Sequence, residues 1–337
     1  MPAHAAKTES TSRRIGRIVG RFFAVFGTTL LAILLLLLGV IFLFCKGPSK
    51  TARNMFTTTM LETSALKFVP YIFMTAEEVD SVVNNNMVFE PSVSTDNEVP
   101  FEDRNEEIPK DAIELIDIVG TTYAGKLMIV HDPSRVSVAT LPNFSEERSG
   151  LTVELFAKRN NAVAATNGGG FLDIDGHGKG GMPTGIVIKD GQLVFGSADT
   201  VSSVIGFDDN NRLLVGRMSA AQCLEKNMRD AVSFGPAFII NGEPMEVSGT
   251  SGGINPRTVI GQRADGAVLL LVIDGRQAHS LGATYKDCIN VMLEHGAVNA
   301  GNLDGGSSTV LFYNGEIVNN CAALTGSRWI PTAFIVK

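Results

Sequence analysis

The stretch Ala297–Val318, AVNAGNLDGGSSTVLFYNGEIV, contains the pattern that decides the fold. Its apolar start predicts a β-strand over Ala297–Leu303. This strand is followed by Asp304, a glycine pair and three hydroxyl residues. A second strand pattern, Val310–Tyr313, turns at Asn314-Gly315 into Glu316–Val318, and that dipeptide is typical of a tight hairpin. The combination predicts a β-rich domain whose turns carry polar groups.

The same pattern of short predicted strands and tight turns continues on the N-terminal side of this stretch. Further strands are predicted at Ile113–Val119, Gly125–His131, Val136–Ala139, Ala162–Thr166, Ile186–Ile188, Leu193–Phe195, Thr258–Gln262 and Val268–Ile273, with hairpin turns at Asp190-Gly191 and Asp265-Gly266. Two helices are expected: one runs over Thr152–Arg159, and the other begins at Thr284, where Thr284 and Asp287 have the spacing of a capping box before Cys288–His295. Residues 111–337 are therefore predicted to form one mainly β domain of the α+β class, with a few helices.

The N-terminal part of the chain has a different composition. Phe22–Cys45 contains no charged residue, and as a helix it would be about 36 Å long, enough to cross the roughly 30 Å hydrocarbon core of a bilayer. More basic residues precede this run than follow it, which favours a cytoplasmic N-terminus. A cleaved signal peptide is the alternative. The length of the run, and Lys46-Gly47-Pro48 in place of a small-residue cleavage site, favour a retained signal anchor.

Charge and periodicity divide the chain into four parts: residues 1–21 as a basic cytoplasmic tail, 22–45 as a transmembrane helix, 46–110 as a juxtamembrane segment, and 111–337 as the extracytoplasmic domain. Within the juxtamembrane segment, Thr51–Val83 is predicted to be a helical stalk broken at Pro70, with self-association as an alternative role. Asn84–Lys110 is acidic and is expected to be an extended linker. A single apolar run excludes a polytopic transporter, and a net charge of −7 without a basic stripe disfavours nucleic acid as a partner.

The sequence indicates no metal or cofactor site. Cys45 lies in the apolar run, and the other three cysteines lack the spacing of metal ligands, so they are expected to be buried as small apolar residues. The acidic loop Asp173–Gly178 has a partial likeness to a calcium loop, but Thr184 stands where an EF-hand requires a glutamate. We therefore expect neither a metal nor a cofactor.

Three predicted strand ends carry polar residues that could perform chemistry. In the first, a strand runs into Asn167, Gly168 and Gly169, where backbone amides could approach a ligand; an ordinary glycine turn is the alternative. In the second, Arg257 opens a strand whose hairpin partner ends at Asp274. A guanidinium suits a phosphate, although a structural Arg–Asp ion pair would leave the same pattern.

The third strand end is the richest in polar groups. Asn302 and Asp304 precede Gly305, Gly306, Ser307 and Ser308, a turn whose amides and hydroxyls could hold an oxyanion while Asp304 works beside it. A glycine-rich hairpin is the alternative. Three such strand ends in one domain favour a functional site.

In order along the chain, these motifs resemble the phosphodiester glycosidase family, the group that contains the lysosomal uncovering enzyme. The resemblance spans roughly residues 110–337 and is carried by the ordered set Asn167–Phe171, Pro183-Thr184-Gly185, Phe234-Gly235-Pro236, Asn255-Pro256-Arg257-Thr258, Asp274-Gly275-Arg276 and Asn302-Leu303-Asp304-Gly305-Gly306-Ser307. Two departures, a pair of glycines where many relatives have three and Phe171-Leu172 in place of a phenylalanine pair, bear on loop shape and on substrate fit.

The resemblance implies hydrolysis of a sugar–phosphate glycosidic bond, a reaction that needs a phosphate clamp and a carboxylate near the anomeric carbon. On that basis the candidate catalytic residues are Asp304, Asp274 and Arg257, with Arg257 on the phosphate and either aspartate as nucleophile or base. The candidate substrate-binding residues are Asn167, Gly168, Gly169, Asn302, Gly305, Gly306, Ser307, Ser308 and His279.

The sequence thus predicts a membrane-anchored, extracytoplasmic hydrolase, similar to an α-N-acetylglucosaminidase. Its expected substrates are sugar-1-phosphodiesters or phosphorylated glycans of the cell envelope or of exported polysaccharide. The alternative is a non-catalytic module that binds phosphoglycans or assists exopolysaccharide assembly. The presence of Arg257, Asp274 and Asp304 favours the enzyme, because a non-catalytic relative would be expected to lose these groups.

Overall fold

The computed structural model describes residues 11–63, 65–88, 94–96, 100–103, 107–174, 178–323 and 326–337. The helices in this part of the chain are α1 Thr11–Lys46, α2 Lys50–Leu61, α3 Ala76–Asn86, α4 Val153–Arg159, α5 Ala220–Glu225 and α6 Tyr285–Glu294. The strands are β1 Ile113–Val119, β2 Ala124–Val130, β3 Val136–Thr140, β4 Ala164–Asn167, β5 Val187–Lys189, β6 Gln192–Phe195, β7 Val201–Asp208, β8 Leu213–Ser219, β9 Met228–Ser233, β10 Ala237–Ile240, β11 Glu243–Pro244, β12 Arg257–Arg263, β13 Val268–Ile273, β14 Ala297–Leu303, β15 Leu311–Tyr313, β16 Glu316–Ile317 and β17 Thr332–Val336.

These strands form three antiparallel sheets around a common core. One sheet has the order β1-β2-β13-β12-β14-β10-β11, the second β16-β15-β4-β17-β3, and the third β6-β5-β9-β7-β8. Each sheet contributes to the central core, as Met128, Phe334 and Phe207 illustrate, and all three side chains are fully buried. Helices cover the outer faces, and the class is the mainly β, α+β architecture that the sequence predicts.

The local signals explain why the elements begin and end where they do. β13, with the sequence VLLLVI, is buried along its whole length, as expected of a strand covered on both faces. The capping box predicted from Thr284 and Asp287 is present at the start of α6. Hairpins turn at Asp190, Asp265 and Asn314 as predicted, and Asp190 and Asn314 adopt the positive φ that such turns require.

The segment that follows α1 folds back against the end of this helix. Cys45 is fully buried among Met74, Val79 and Val82, and the ring of Phe44 stacks on that of Phe56. Cys45 is therefore packed as a small apolar residue.

The helical stalk differs from the sequence prediction at its first break. α2 ends at Leu61, well before Pro70, which begins a short 3-10 turn that leads towards α3. The Thr63 hydroxyl donates to the Met60 carbonyl at 2.7 Å, which satisfies one of the carbonyls that a helix end leaves unpaired. The helical pattern is thus two short helices folded against α1.

The predicted linker is partly ordered. α3 extends into it as far as Asn86, and Thr95 lies beside β8, where its backbone amide donates to the Val215 carbonyl at 3.1 Å. The linker's residues 89–93, 97–99 and 104–106 lie outside the described residues.

Within the described residues, α1 is the one helix long and apolar enough to cross a bilayer. Its apolar side chains are mostly exposed, whereas a core helix of a soluble protein would bury them. The structure therefore leaves two readings for this helix, a membrane anchor or a signal sequence.

Candidate active site

Three strand ends meet at one edge of the domain. β12 pairs with both β13 and β14, so that Arg257 lies opposite Ile273 and Thr258 lies opposite Leu303. This register carries Arg257, Asp274 and Asp304 to the same edge, as the sequence predicts for Arg257 and Asp274.

The second sheet is joined to this edge through β4. The Thr258 hydroxyl donates to Asn167 Oδ1 at 2.8 Å, and Asn167 Nδ2 donates to the Asp304 carbonyl at 2.5 Å. Asn167 is fully buried and therefore connects the two sheets beneath the Asp304 turn.

A small cavity of about 140 Å³ opens at this edge. Three arginines and three carboxylates surround it, and its lining is Glu62, Asp173, Phe234, Asn255, Arg257, Arg276, Asp304, Gly305, Gly306, Ser307 and Arg328. Three guanidinium groups converging on one cavity suit an anion with several oxygens, such as a phosphate.

Arg257 is held rigidly. Its side chain is 3% exposed, its Nε donates to the Ala283 carbonyl at 3.1 Å, and its Nη2 donates to the carbonyls of Gly252 and Gly253. The guanidinium also lies 4.5 Å from the centre of the Tyr285 ring. These contacts direct Nη1 towards the cavity, where it lies 3.7 Å from Glu62 Oε2.

The other two arginines approach the cavity from separate loops. Arg276 Nη2 donates to Asn255 Oδ1 at 3.0 Å, and Arg328 donates to both carboxylate oxygens of Asp173, each at 2.9 Å. A bidentate pair of this kind fixes the plane of the guanidinium. Arg328 Nη1 also lies 3.4 Å from Ser307 Oγ, which places it over the Asp304 turn.

Asp304 is the carboxylate with the most unusual surroundings. Its Oδ2 is closed off from solvent and has no hydrogen-bond partner among the described residues. Burial raises the pKa of Asp304 to about 6, and this outweighs the neighbouring Ser308 hydroxyl and Arg328, which act in the opposite direction. A carboxylate with one buried, unpaired oxygen and a pKa near neutrality has the properties of a proton-transfer group or a nucleophile.

The glycines that follow Asp304 are required by close contacts. A Cβ on Gly305 would lie 2.9 Å from the Pro256 carbonyl oxygen, and Gly306 adopts a φ of +59° beside the Arg276 guanidinium. Gly305, Gly306 and Ser307 all line the cavity, and all three are among the predicted substrate-binding residues. The backbone therefore lies close to the Arg276 side chain and to the cavity.

Asp274 lies at the same edge but outside the cavity. The described lining includes Asp304 and neither Asp274 nor His279. Both carboxylate oxygens of Asp274 are occupied: Oδ1 accepts from Asn319 Nδ2 at 3.1 Å and from the Asn320 amide at 2.9 Å, while Oδ2 accepts from Asn320 Nδ2 at 3.0 Å and lies 3.2 Å from His279 Nε2. These contacts hold the loop that carries Arg276.

The remaining sequence-predicted residues lie behind the cavity. The amides of Gly168 and Gly169 donate to the carbonyl and hydroxyl of Thr332, at 3.1 Å each, so these amides are already paired within the protein. Asn302 Nδ2 donates to the Gly235 carbonyl at 2.8 Å. Asn302 Oδ1 is buried without a partner among the described residues, and Ser308 Oγ is buried beside the Asp304 carboxylate.

Sequence reasoning missed six of the residues that line the cavity. Asn255, Arg276 and Phe234 belong to motifs that carry the family resemblance, and their motif membership could have identified them. Asp173, Arg328 and Glu62 come from distant segments where no local signal indicates a phosphate site, and only the folded chain brings them to the cavity.

Comparison with known proteins identifies the class. A sequence model of the family described as phosphodiester glycosidase matches residues 160–337, which is 178 of the 337 residues. The chain therefore belongs to the phosphodiester glycosidase family, and this confirms the resemblance found in the sequence.

Two curated relatives and one solved structure support the assignment. The chain is 31% identical over 179 residues to the SPbeta prophage-derived uncharacterized protein YomE of Bacillus subtilis, covering 50% of this chain and 27% of that protein. It is 27% identical over 221 residues to the mouse N-acetylglucosamine-1-phosphodiester alpha-N-acetylglucosaminidase, covering 59% of this chain and 42% of that protein. The chain thus spans less than half the length of both relatives.

The solved structure is the catalytic domain of the zebrafish N-acetylglucosamine-1-phosphodiester alpha-N-acetylglucosaminidase, auto-inhibited by its pro-peptide. It superposes with a TM-score of 0.56 at 23% identity, over 70% of this chain and 86% of that chain. At this level of identity the match shows that the fold is shared.

Proposed function

We propose that this protein hydrolyses the bond between the anomeric carbon of a sugar and the oxygen of a phosphodiester. The observation that carries the proposal is the placement of Asp304, with an unpaired buried oxygen, in one cavity with Arg257, Arg276 and Arg328. Family membership supports glycosidase chemistry, and the mouse relative is named for action on an N-acetylglucosamine-1-phosphodiester.

The reaction follows from the charges around the cavity. The arginines bind the phosphodiester and stabilise the phosphate monoester as it leaves with the electron pair of the C–O bond. A water molecule supplies the oxygen that bonds to the anomeric carbon, and Asp304 as a general base accepts its proton. Because a phosphate is already a good leaving group, the site needs no strong general acid.

Asp274 has a supporting role in this proposal. It binds Asn319, Asn320 and His279 and so positions the Arg276 loop, whereas Asp304 faces the reacting atoms. His279, Asn167, Gly168 and Gly169 likewise support the site without lining the cavity.

We also propose that α1 anchors the protein, with the N-terminus in the cytoplasm and the catalytic domain outside it. Burial of Cys45 against α2 and α3 supports a retained helix, because cleavage after α1 would expose this small apolar core. An extracytoplasmic location favours phosphorylated glycans of the envelope, or of exported polysaccharide, as substrates.

The test uses the full chain in detergent with UDP-N-acetylglucosamine and a small panel of other sugar-1-phosphodiesters. We expect release of free sugar, and loss of that release in the Asp304→Asn variant. Binding of the phosphodiesters without any release would favour the non-catalytic phosphoglycan-binding module instead.

A further inference from the structure

The juxtamembrane helices tie the candidate active site to the end of the apolar helix. We call residues 50–63 and 65–88, which include α2 and α3, the cap. The Thr58 hydroxyl donates to the Thr250 carbonyl at 3.0 Å, and the Ser251 hydroxyl donates to the Asn86 carbonyl at 2.8 Å. The next residue on this loop, Gly252, accepts a hydrogen bond from Arg257, so the cap contacts the loop that holds a cavity arginine.

A second, much larger cavity lies between the cap and the catalytic domain, beside the contacts that join them. This groove has a volume of about 1010 Å³ and is lined by Thr58, Leu61, Glu62, Lys67, Val83, Asn84, Asn86, Met87, Val88, Ser203, Arg217, Gly235, Pro236, Gly252 and Tyr285. It meets the arginine cavity at Glu62, which lines both. Phe234 of the arginine cavity is also followed directly by Gly235 of the groove, so the two spaces adjoin.

The cap also presents apolar side chains beside the end of α1. Phe68, Tyr71 and Ile72 are 61%, 48% and 42% exposed. The 3-10 turn that begins at Pro70 is held against α1 by a contact between the ring of Phe42 in α1 and the ring of Phe73, whose centres lie 5.4 Å apart. When α1 spans a bilayer, these side chains lie at the membrane interface, where aromatic residues are favoured.

We propose that the substrate is a membrane-resident sugar-1-phosphodiester whose second ester group is a long-chain lipid alcohol. This inference rests on the proposed function. The phosphate and the anomeric carbon lie in the arginine cavity, with the phosphate replacing Glu62 as the partner of Arg257, and the alcohol runs through the groove towards the interface. A water-soluble glycan would make no use of the apolar groove residues Leu61, Val83 and Met87, or of the cap that joins the site to the end of α1.

The experiment uses the full chain reconstituted into phospholipid vesicles with two matched substrates. Both are N-acetylglucosamine-1-phosphate diesters, one with a long isoprenoid alcohol and the other with methanol. We expect kcat/KM for the isoprenoid ester to exceed that for the methyl ester by about tenfold or more, because the groove contributes binding to the long chain alone.

A groove variant and a matched control locate the effect. Val83→Trp introduces a bulky ring into the groove from an exposed position on α3, and Ser81→Trp introduces the same ring on α3 away from the groove. We expect Val83→Trp to lower kcat/KM for the isoprenoid ester about tenfold, and to change that for the methyl ester by less than about twofold. Ser81→Trp should leave both values unchanged.

The outcomes separate the two proposals. Equal kcat/KM values for the two esters, or a Val83→Trp effect of the same size on both, would overturn the lipid substrate and leave the phosphodiester glycosidase function standing. If neither ester releases sugar, the proposed function is wrong for this sugar-phosphate and the lipid inference falls with it.

Discussion

Asp274 and Asp304 each follow a buried strand of the same sheet and each precede a glycine, yet their surroundings are opposite. Asp274 has hydrogen-bond partners on both carboxylate oxygens. Asp304 keeps one buried oxygen unpaired, and its pKa is raised to about 6. A paired carboxylate stabilises the fold, whereas an unpaired buried one destabilises it and is retained for its reactivity. The same short motif can therefore serve structure at one loop and chemistry at the next.

The Asp304→Asn substitution tests the reactive side of this comparison and should have the largest effect. We expect kcat to fall about 10³-fold, because the base is removed while the shape of the turn is kept. Steady-state release of free sugar measures this loss. Activity near that of the wild type would contradict the catalytic role of Asp304.

The same variant should be more stable than the wild type at neutral pH. The raised pKa means that folding favours protonated Asp304, so this stabilisation is complete at low pH and is lost as the pH rises through about 6. Removing the charge should therefore increase the free energy of unfolding at pH 7 by about 1–3 kcal/mol. Urea denaturation at pH 7 and pH 5 measures the difference, which should shrink at pH 5.

Arg257→Lys tests the proposed phosphate contact of Arg257, which lies on β12, the strand between the two strands that precede Asp274 and Asp304. Lysine keeps the charge but cannot reproduce the bonds of Arg257 to the carbonyls of Gly252, Gly253 and Ala283. We expect kcat/KM to fall about 10²-fold and the melting temperature to drop. Unchanged kcat/KM would remove Arg257 from the phosphate site.

The pH dependence of the wild type should report the Asp304 environment. A base must be ionised, so kcat/KM should be constant above pH 7 and should fall about tenfold between pH 7 and pH 5 as Asp304 becomes protonated. A pH–rate profile on a non-ionising substrate analogue measures this fall. A rate that rises below pH 6 would instead make Asp304 a general acid.

Asp274→Asn should have the smallest effect on catalysis. The asparagine keeps one acceptor oxygen, but its NH₂ group then faces the N–H donors that bind Asp274 in the wild type. We therefore expect a loss of about 1–3 kcal/mol in unfolding free energy. The loss in kcat should be less than tenfold. Urea denaturation and steady-state kinetics together separate these effects. A 10³-fold loss of kcat with an unchanged fold would break the comparison, because Asp274 would then be a reacting group.

Many elements of the domain were predictable because their signals are local. The strand Ala297–Leu303 and the capping box of Thr284 appear in the structure where the pattern placed them. The hairpin register that brings Arg257 and Asp274 to one edge also follows from a short turn between two apolar runs. Such features depend on neighbours within a few residues, which the sequence displays directly.

The packing of the cap and the composition of the cavity were not predictable in this way. Arg328 and Asp173 are 155 residues apart, and Glu62 reaches the site from the segment that follows α1. No periodicity links such positions.

By itself, the sequence determined the family, many of the strands and helices, and the strand ends where chemistry could occur. Only the tertiary structure decided which carboxylate has both oxygens paired, because Asn319 and Asn320, which donate hydrogen bonds to Asp274, lie more than forty residues away in the sequence. Desolvation of Asp304 likewise depends on segments that are distant in sequence. A carboxylate's pKa is set by the groups that surround it in space, and a linear pattern does not contain them.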